Sequence, residues 1–247
     1  MARRDEIVAF ASEYLEVGSY PDHCPVGLQV TGSDEVARIA CSVSSSRELF
    51  ERAARGGAHL VLVHHGLFWD RDPRVVDPPM RDRLQALFAA DLSLVAYHLA
   101  LDAHHEIGNN ALLLQALGVS ETSCYGEVAR VGELDDACSV GELSHRVQTA
   151  VGRKPLVFAD GPDAISRVAV CTGSAASLFP RVIADGYDCF ITGEPSEPTM
   201  MIAREAGVHF IAAGHYATET FGVKALAEVL AGEFGLSWEF VDLPNPV

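Results

Sequence analysis

The chain has 247 residues, of which 49% are hydrophobic and 21% charged, a globular composition with room for one large or two small domains. Its formal net charge of −16 argues against electrostatic binding to nucleic acid or to an anionic membrane. The sequence has no apolar run of the roughly 20 residues that span a bilayer, no secretory signal pattern and no CxxC among six cysteines, so we expect a cytoplasmic protein with reduced core thiols.

Helical and strand-like segments alternate along the first half of the chain. Hydrophobic periodicity and cap residues predict these segments. In order they are helix Arg4–Val17, strand Ile39–Val43, helix Arg47–Arg55 behind a serine cap, strand His59–Val63, helix Asp82–Ala90, strand Leu92–Tyr97 and helix Asn110–Leu117.

The same alternation restarts further along the chain. The predicted segments are strand Val128–Leu134, helix Val140–Val151, strand Arg167–Cys171, helix Ala175–Asp185, strand Asp188–Thr192, helix Ser196–Glu205, strand Val208–Ala213, helix Thr220–Phe234 and strand Ser237–Val241. Alternation at this interval predicts an α/β fold whose sheets are mainly parallel and flanked by helices. We expect a first half at residues 1–125, completed by residues 220–247, and a second half at residues 126–219.

An internal repeat supports this division into halves. Arg38–Gly66 aligns without a gap with Arg167–Pro195, and His65 falls opposite Glu194. Chance identity in text rich in alanine and valine is the alternative, and it is disfavoured because polar positions match as well as apolar ones. The repeat therefore predicts two similar, duplicated α/β halves.

A second alignment, slightly shifted, brings more polar residues into correspondence. It pairs YHLALD with GHYATE, so that His98 lies opposite His215 and Asp102 opposite Glu219. Both halves thus carry histidine and carboxylate just after a predicted strand.

Six candidate metal ligands follow predicted strands: His64, His65, Asp102, Glu194, His215 and Glu219. Ligands of open α/β sheets bind at the carboxyl ends of the strands, so we expect one site there, between the halves. A lone histidine after a strand is more often a hydrogen-bonded surface or core group. Six further histidines lie outside the convergent set, and we interpret them as hydrogen-bonded surface or core residues: His23, His59, His104, His105, His145 and His209.

The adjacent pair His64 and His65 indicates two ions rather than one. Neighbouring side chains leave an extended backbone on opposite sides, so two adjacent histidines chelate one ion poorly but can each bind a different ion. Imidazole and carboxylate ligands without thiolate favour Zn, Fe, Mn, Co or Ni over Ca or Mg. Two such ions about 3.5–4 Å apart can activate a water molecule and bind an oxyanion. A positive site in an acidic protein would attract a small anionic substrate such as a phosphate.

Five motifs then stand out: HHGLFW at 64–69, HLALDAHHEIGNN at 98–110, ITGEPSE at 191–197, GHYATETFG at 214–222 and VDLPNPV at 241–247. Together they resemble the Nif-three-like, YbgI-type family, whose members are commonly named GTP cyclohydrolase 1 type 2 homologues. The likeness covers nearly the whole chain. Three positions depart from the family pattern, where Tyr216 replaces a histidine, Val26 an asparagine and Ala100 a proline.

The resemblance implies a set of roles for these residues. His64 and Asp102 would bind one ion, His65 and His215 the other, and Glu219 would be shared by both. His98, Glu194 and Tyr216 would face the substrate, relay protons or support the ligands. A toroidal homohexamer is implied as well.

Two functional hypotheses follow. The first is a metal-dependent hydrolase that acts on a nucleotide-like or phosphate-bearing substrate, with GTP ring opening as the reaction that the family name implies. The alternative is a non-catalytic protein, a metal-handling protein or a regulatory adaptor, which uses the same metal centre. Both require the same ligands, so only turnover distinguishes them.

Overall fold

The computed structural model describes residues 1–247 and contains two compact units. The first comprises Met1–Leu101 with Gly222–Leu243, and the second comprises Asp102–Phe221 with Pro244–Val247. This division differs from the expected boundary after residue 125. The reason is that the segment from 109 to 138 forms a helix and a hairpin that add to the sheet of the second unit.

The strands and helices are numbered here in chain order. The strands are β1 (Ala2–Arg3), β2 (Gly27–Val30), β3 (Glu35–Val36), β4 (Arg38–Ser44), β5 (Leu60–His65), β6 (Ser93–Ala96), β7 (Val119–Tyr125), β8 (Ala129–Cys138), β9 (Leu156–Phe158), β10 (Ile165–Cys171), β11 (Cys189–Thr192), β12 (His209–Ala212) and β13 (Ser237–Phe240). The helices are α1 (Arg4–Tyr14), α2 (Arg47–Arg55), α3 (Pro78–Ala89), α4 (Leu99–Ala103), α5 (Asn109–Ala116), α6 (Val140–Val151), α7 (Phe179–Ala184), α8 (Thr199–Ala206), α9 (His215–Thr218) and α10 (Thr220–Phe234).

The first unit contains a five-stranded sheet in the order β13-β4-β5-β6-β2. Its first three pairings are parallel, and β2 runs antiparallel to β6 at the edge. Strand β5 is buried along almost its whole length, as expected for a central strand covered on both faces. Leu49 and Phe50 of α2 are fully buried against this sheet.

The second unit contains a six-stranded sheet in the order β7-β8-β10-β11-β12-β9. Strands β10, β11 and β12 are parallel, and the outer strands β7, β8 and β9 pair antiparallel. Three buried phenylalanines, Phe179, Phe190 and Phe210, pack together on this sheet. The predicted α/β class is thus confirmed, with antiparallel outer strands added to the parallel centre.

The pairing register agrees with the predicted duplication. In the first unit Ile39 pairs with Leu60, and in the second Val168 pairs with Cys189. These pairs occupy the same positions of the aligned repeats. In each unit a third parallel strand follows, β6 in the first and β12 in the second. An antiparallel strand that precedes the repeat in sequence pairs with this third strand, β2 with β6 and β9 with β12.

Local signals explain where several helices begin. The Ser46 side chain accepts a hydrogen bond from Leu49 N at 3.1 Å and caps α2. Ser139 and Glu142 form a reciprocal capping box at the start of α6. Helix α3 begins four residues before the predicted Asp82, because Asp77 caps it and proline is well accommodated in the first turn.

Five of the six cysteines are buried free thiols, and Cys124 is exposed. Burial raises the pKa of Cys41 and of Cys171 to about 12, so these thiols are protonated and unreactive at neutral pH. Each helix in the structure is too short or too polar to cross a membrane.

Candidate metal centre

Three histidines cluster at the carboxyl ends of two neighbouring strands in the first unit. His64 and His65 end β5, and His98 follows β6. Their ring centroids lie 4.6 to 5.6 Å apart, and one ligand nitrogen of each lies within 4.8 Å of the others. Parallel pairing of β5 with β6 produces this convergence, because parallel strands end at the same edge of the sheet.

Hydrogen bonds orient His64 and His65 through the same ring nitrogen. Nδ1 of the fully buried His64 lies 3.1 Å from the Tyr97 carbonyl oxygen, which can only accept, so Nδ1 carries the proton. Nδ1 of His65 lies 3.0 Å from Ser44 Oγ, on the paired position of β4. The proton on Nδ1 leaves the Nε2 lone pair of His64 as a potential metal ligand, and a hydrogen bond at Nδ1 likewise orients the His65 ring, as is typical of metal-binding histidines.

His98 is held by a carboxylate that the sequence analysis missed. Asp22 Oδ1 lies 2.8 Å from His98 Nδ1, and the two Asp22 oxygens also accept hydrogen bonds from the backbone N–H groups of His23 and Leu99. Burial alone would raise the pKa of Asp22. The hydrogen bonds and charge of His98, together with the backbone donors, outweigh burial and lower the pKa to about 2.

This lowered pKa predicts a pH dependence of stability. A carboxyl group whose pKa is depressed in the folded state stabilises the fold above its unfolded pKa near 3.8, and this contribution is lost as pH falls from about 4 to about 2. We expect the free energy of unfolding of Asp22→Asn to depend less on pH over this range than that of the wild type. Urea titrations of chelator-treated protein would measure it. Asp72→Asn removes an exposed carboxyl as a control, and equal slopes for all three proteins would contradict the expectation.

The neighbouring Cys24 lies close enough to Asp22 and His98 for the three to hold a metal ion. Burial, reinforced by the charge of Asp22, raises the pKa of the Cys24 thiol to about 12. Since the thiolate is the metal-binding form, this cysteine is a poor ligand at neutral pH.

In the second unit, Asp102 is fixed by two side-chain donors. Its Oδ1 accepts hydrogen bonds from Asn109 Nδ2 at 2.8 Å and from Thr172 Oγ1 at 3.1 Å, and the carboxylate is buried. Both donors were missed by the sequence analysis, which identified only the acid.

His215 lies between two carboxylates of the second unit. Its Nδ1 is 3.1 Å from Glu194 Oε1, and its Nε2 is 3.2 Å from Glu219 Oε1. Burial opposes the charged ring, but Glu219 and then Glu194 outweigh it and raise the pKa of His215 to about 9. Glu194 therefore orients the His215 ring through Nδ1, and Glu219 lies on the Nε2 side of the ring.

Gly173 brings a backbone loop against these ligands. Its φ of +67° is in the left-handed region that favours glycine. A Cβ at this position would collide with Glu219 Oε1 and lie 3.5 Å from His215 Nε2. The loop therefore requires glycine for both its conformation and its close approach to Glu219.

The predicted site residues thus form two groups, one in each unit. His64, His65 and His98 belong to the first, and the second contains Asp102, Glu194, His215, Tyr216 and Glu219. Tyr216 is buried, and its backbone N–H donates a hydrogen bond to the Val247 carbonyl oxygen. The catalytic role of its side chain stays a prediction. Oriented imidazoles and carboxylates are a donor set that fits divalent transition metals.

Comparisons with known proteins agree with the motifs. A family model described as Duf34/NIF3 (NGG1p interacting factor 3) matches residues 2–246. A GTP cyclohydrolase 1 type 2 homolog of Deinococcus radiodurans is 41% identical over 98% of this chain and 94% of its own length. The protein of the same name in Escherichia coli K12 is 42% identical over 99% of both chains.

A solved structure has the same fold over its whole length. The structure of protein ybgI, described as of unknown function, is 41% identical with a TM-score of 0.96 and covers 100% of both chains. These matches confirm the family resemblance derived from the motifs.

Proposed function

Because the chain belongs to the Duf34/NIF3 family, we propose that it binds two divalent metal ions per subunit and hydrolyses a nucleotide-like or phosphate-bearing substrate. One observation carries the metal part of the proposal. The adjacent residues His64 and His65 are both anchored through Nδ1, by a carbonyl and a hydroxyl, and in each the Nε2 atom would be the metal ligand.

The proposed ligands are drawn from both groups of residues. His64 and Asp102 would bind one ion, His65 and His215 the other, and Glu219 both. The first group supplies imidazoles, and the second supplies the anionic oxygens that balance part of the metal charge. Together the five proposed ligands combine imidazole nitrogens and carboxylate oxygens, the mixture that suits divalent transition metals.

When bound, the ions would supply Lewis-acid chemistry, activating water and stabilising negative charge on the substrate. The residues of the chain have distinct tasks around them. His98 would take up and return a proton, because the Asp22 carboxylate at its Nδ1 orients the ring. Glu194 would hold the His215 ring in place through Nδ1.

Further parts of the proposal rest on the family resemblance. We propose that the chain assembles as a homo-oligomer, a toroidal hexamer, and works in the cytoplasm. A monomer in light scattering at micromolar concentration would contradict the ring. The name of the curated relatives makes GTP the first substrate to assay.

Metal content tests the centre. Wild-type protein loaded with Zn, Mn or Fe should hold about two ions per subunit, and His65→Ala and His215→Ala should each lose about one ion or more, because each removes a ligand. His145→Ala removes an exposed histidine outside the cluster and should leave metal content unchanged. Elemental analysis would measure this, and unchanged content in both ligand variants would contradict the assignment.

Turnover tests the chemistry separately. Fully loaded protein should process GTP or simple phosphoesters faster than the His65→Ala and His215→Ala variants. If metal binds at these residues and nothing is processed above the level of the variants, the hydrolase is refuted, and a non-catalytic metal-handling or adaptor role takes its place.

A further inference from the structure

A pocket of about 430 Å³ lies in the second unit beside His215. Its polar lining includes Arg153, Lys154 and Glu194, and Gly214 forms part of its wall. Glu194 is the residue that hydrogen-bonds His215. The pocket therefore opens next to a residue that the proposed function assigns to the metal centre.

One nitrogen of the Arg153 guanidinium has no hydrogen-bond partner within the protein. This atom, Nη1, is buried in a chain with 34 acidic residues. A buried donor that lacks a partner costs stability, and a bound anion is one way in which such a group is satisfied. By contrast, the buried Arg4 pairs with Asp5 and Asp34.

Gly214 brings this guanidinium close to the proposed centre. A Cβ on Gly214 would lie 2.7 Å from Arg153 Nη1 and 2.9 Å from its Cδ. The arginine thus packs directly on the backbone of the residue that precedes His215. The φ of Gly214 is +102°, so glycine is required for its conformation as well as for this contact.

We propose that Arg153 binds a phosphate group of the substrate, assisted by the charge of Lys154. This inference rests on the proposed function and specifies which part of the chain recognises the anionic substrate. A guanidinium presents a planar pair of N–H donors that matches two phosphate oxygens. Lys154 is exposed at the same pocket and adds a second positive charge. The carboxylate of Glu194, engaged with His215, would disfavour an anion on its own side of the pocket.

Titration of inorganic phosphate into the full chain tests the subsite. Calorimetry would be run first on chelator-treated protein, where phosphate cannot bind through metal, and then on Zn-loaded protein. We expect saturable binding by the wild type and about a tenfold or greater loss of affinity in Arg153→Gln. Arg204→Gln removes an exposed arginine of the same unit, and its affinity should change less than about twofold. Acetate should compete only weakly with phosphate for this pocket.

Each outcome decides the inference. Absence of binding by the wild type, equal affinity in Arg153→Gln, or equal losses in both variants would overturn it. Arg153→Lys keeps the charge without the fork, so its phosphate affinity should lie between those of the wild type and Arg153→Gln. If Arg153→Gln fails to fold, the phosphate affinity of Arg153→Lys tests the inference in its place. The thermal midpoint of Arg153→Gln should be unchanged or raised, whereas a drop together with lost metal would indicate a structural role.

The inference and the proposed function can fail independently. Phosphate binding that depends on Arg153 in a protein that hydrolyses nothing would leave the subsite standing and refute the hydrolase. Hydrolysis with an unchanged KM in Arg153→Gln would support the hydrolase and refute the phosphate subsite.

Discussion

Replacing Gly173 with alanine is expected to lower the affinity for divalent metal by about tenfold or more while the protein stays folded. The new Cβ would collide with Glu219 Oε1, while its distance of 3.5 Å from His215 Nε2 is an ordinary contact. Glu219 would have to rotate away from the ring that it contacts. Because the side chain is buried, few other positions are open to it.

The matched control is Gly152→Ala. Gly152 has a φ of +71°, close to that of Gly173, but a Cβ there would meet no atom within 4 Å. Both variants carry the same backbone cost of about 1 kcal/mol, so the difference between them isolates the collision with Glu219. Metal titrations on both proteins would measure it. Equal affinities for the two variants would show that Glu219 does not contribute to metal binding at this position.

Replacing Asn110 with alanine is expected to lower the free energy of unfolding by about 3 to 5 kcal/mol. The fully buried Asn110 side chain joins three segments of the second unit. Its Nδ2 donates to the carbonyl oxygens of Asp102 at 3.2 Å and Val128 at 3.0 Å, and its Oδ1 accepts from Thr172 N at 2.7 Å. Alanine would leave all three buried backbone groups without this partner. A buried polar group that loses its hydrogen bond destabilises the fold by its full desolvation free energy.

Urea unfolding would measure this loss, with Gln115→Ala as the control. Gln115 is an exposed amide on the same helix, and its replacement should change stability by less than about 0.5 kcal/mol. Metal content should fall as well, because Asn110 fixes the backbone of Asp102 and of Thr172, which hydrogen-bonds the Asp102 carboxylate. A loss of stability below about 1 kcal/mol would contradict the network.

The parallel core of the fold and strand β8 could be predicted from the sequence, and the other antiparallel strands could not. Helices α6 and α10 have the predicted bounds, since a capping box or a long apolar pattern marks them. Strand β7 was missed because five of its seven residues are exposed, so it shows no apolar alternation. Strand β9 has only three residues, and β2 follows a loop rich in proline and glycine. Their pairing depends on tertiary context rather than on local pattern.

The same limit applies to the candidate site. The ligands were predicted because histidine and carboxylate fall just after strands and recur in the repeat. Their supports come from distant positions, with Asp22 76 residues before His98 and Thr172 70 residues after Asp102. Short motifs contain no signal for such pairs. The requirement for glycine at position 173 likewise becomes visible only in the structure, where Glu219 lies beside it.

The discontinuity of the first unit affects the order in which the chain can fold during synthesis. Strand β4 gains its outer neighbour only when β13 pairs with it, Ser237 opposite Arg38. The ribosome must therefore release about two hundred residues, including the whole continuous body of the second unit, while one edge of the nascent first sheet is exposed. Released chains that end before position 237 would leave this edge of β4 unpaired, whereas chains that include β13 would cover it.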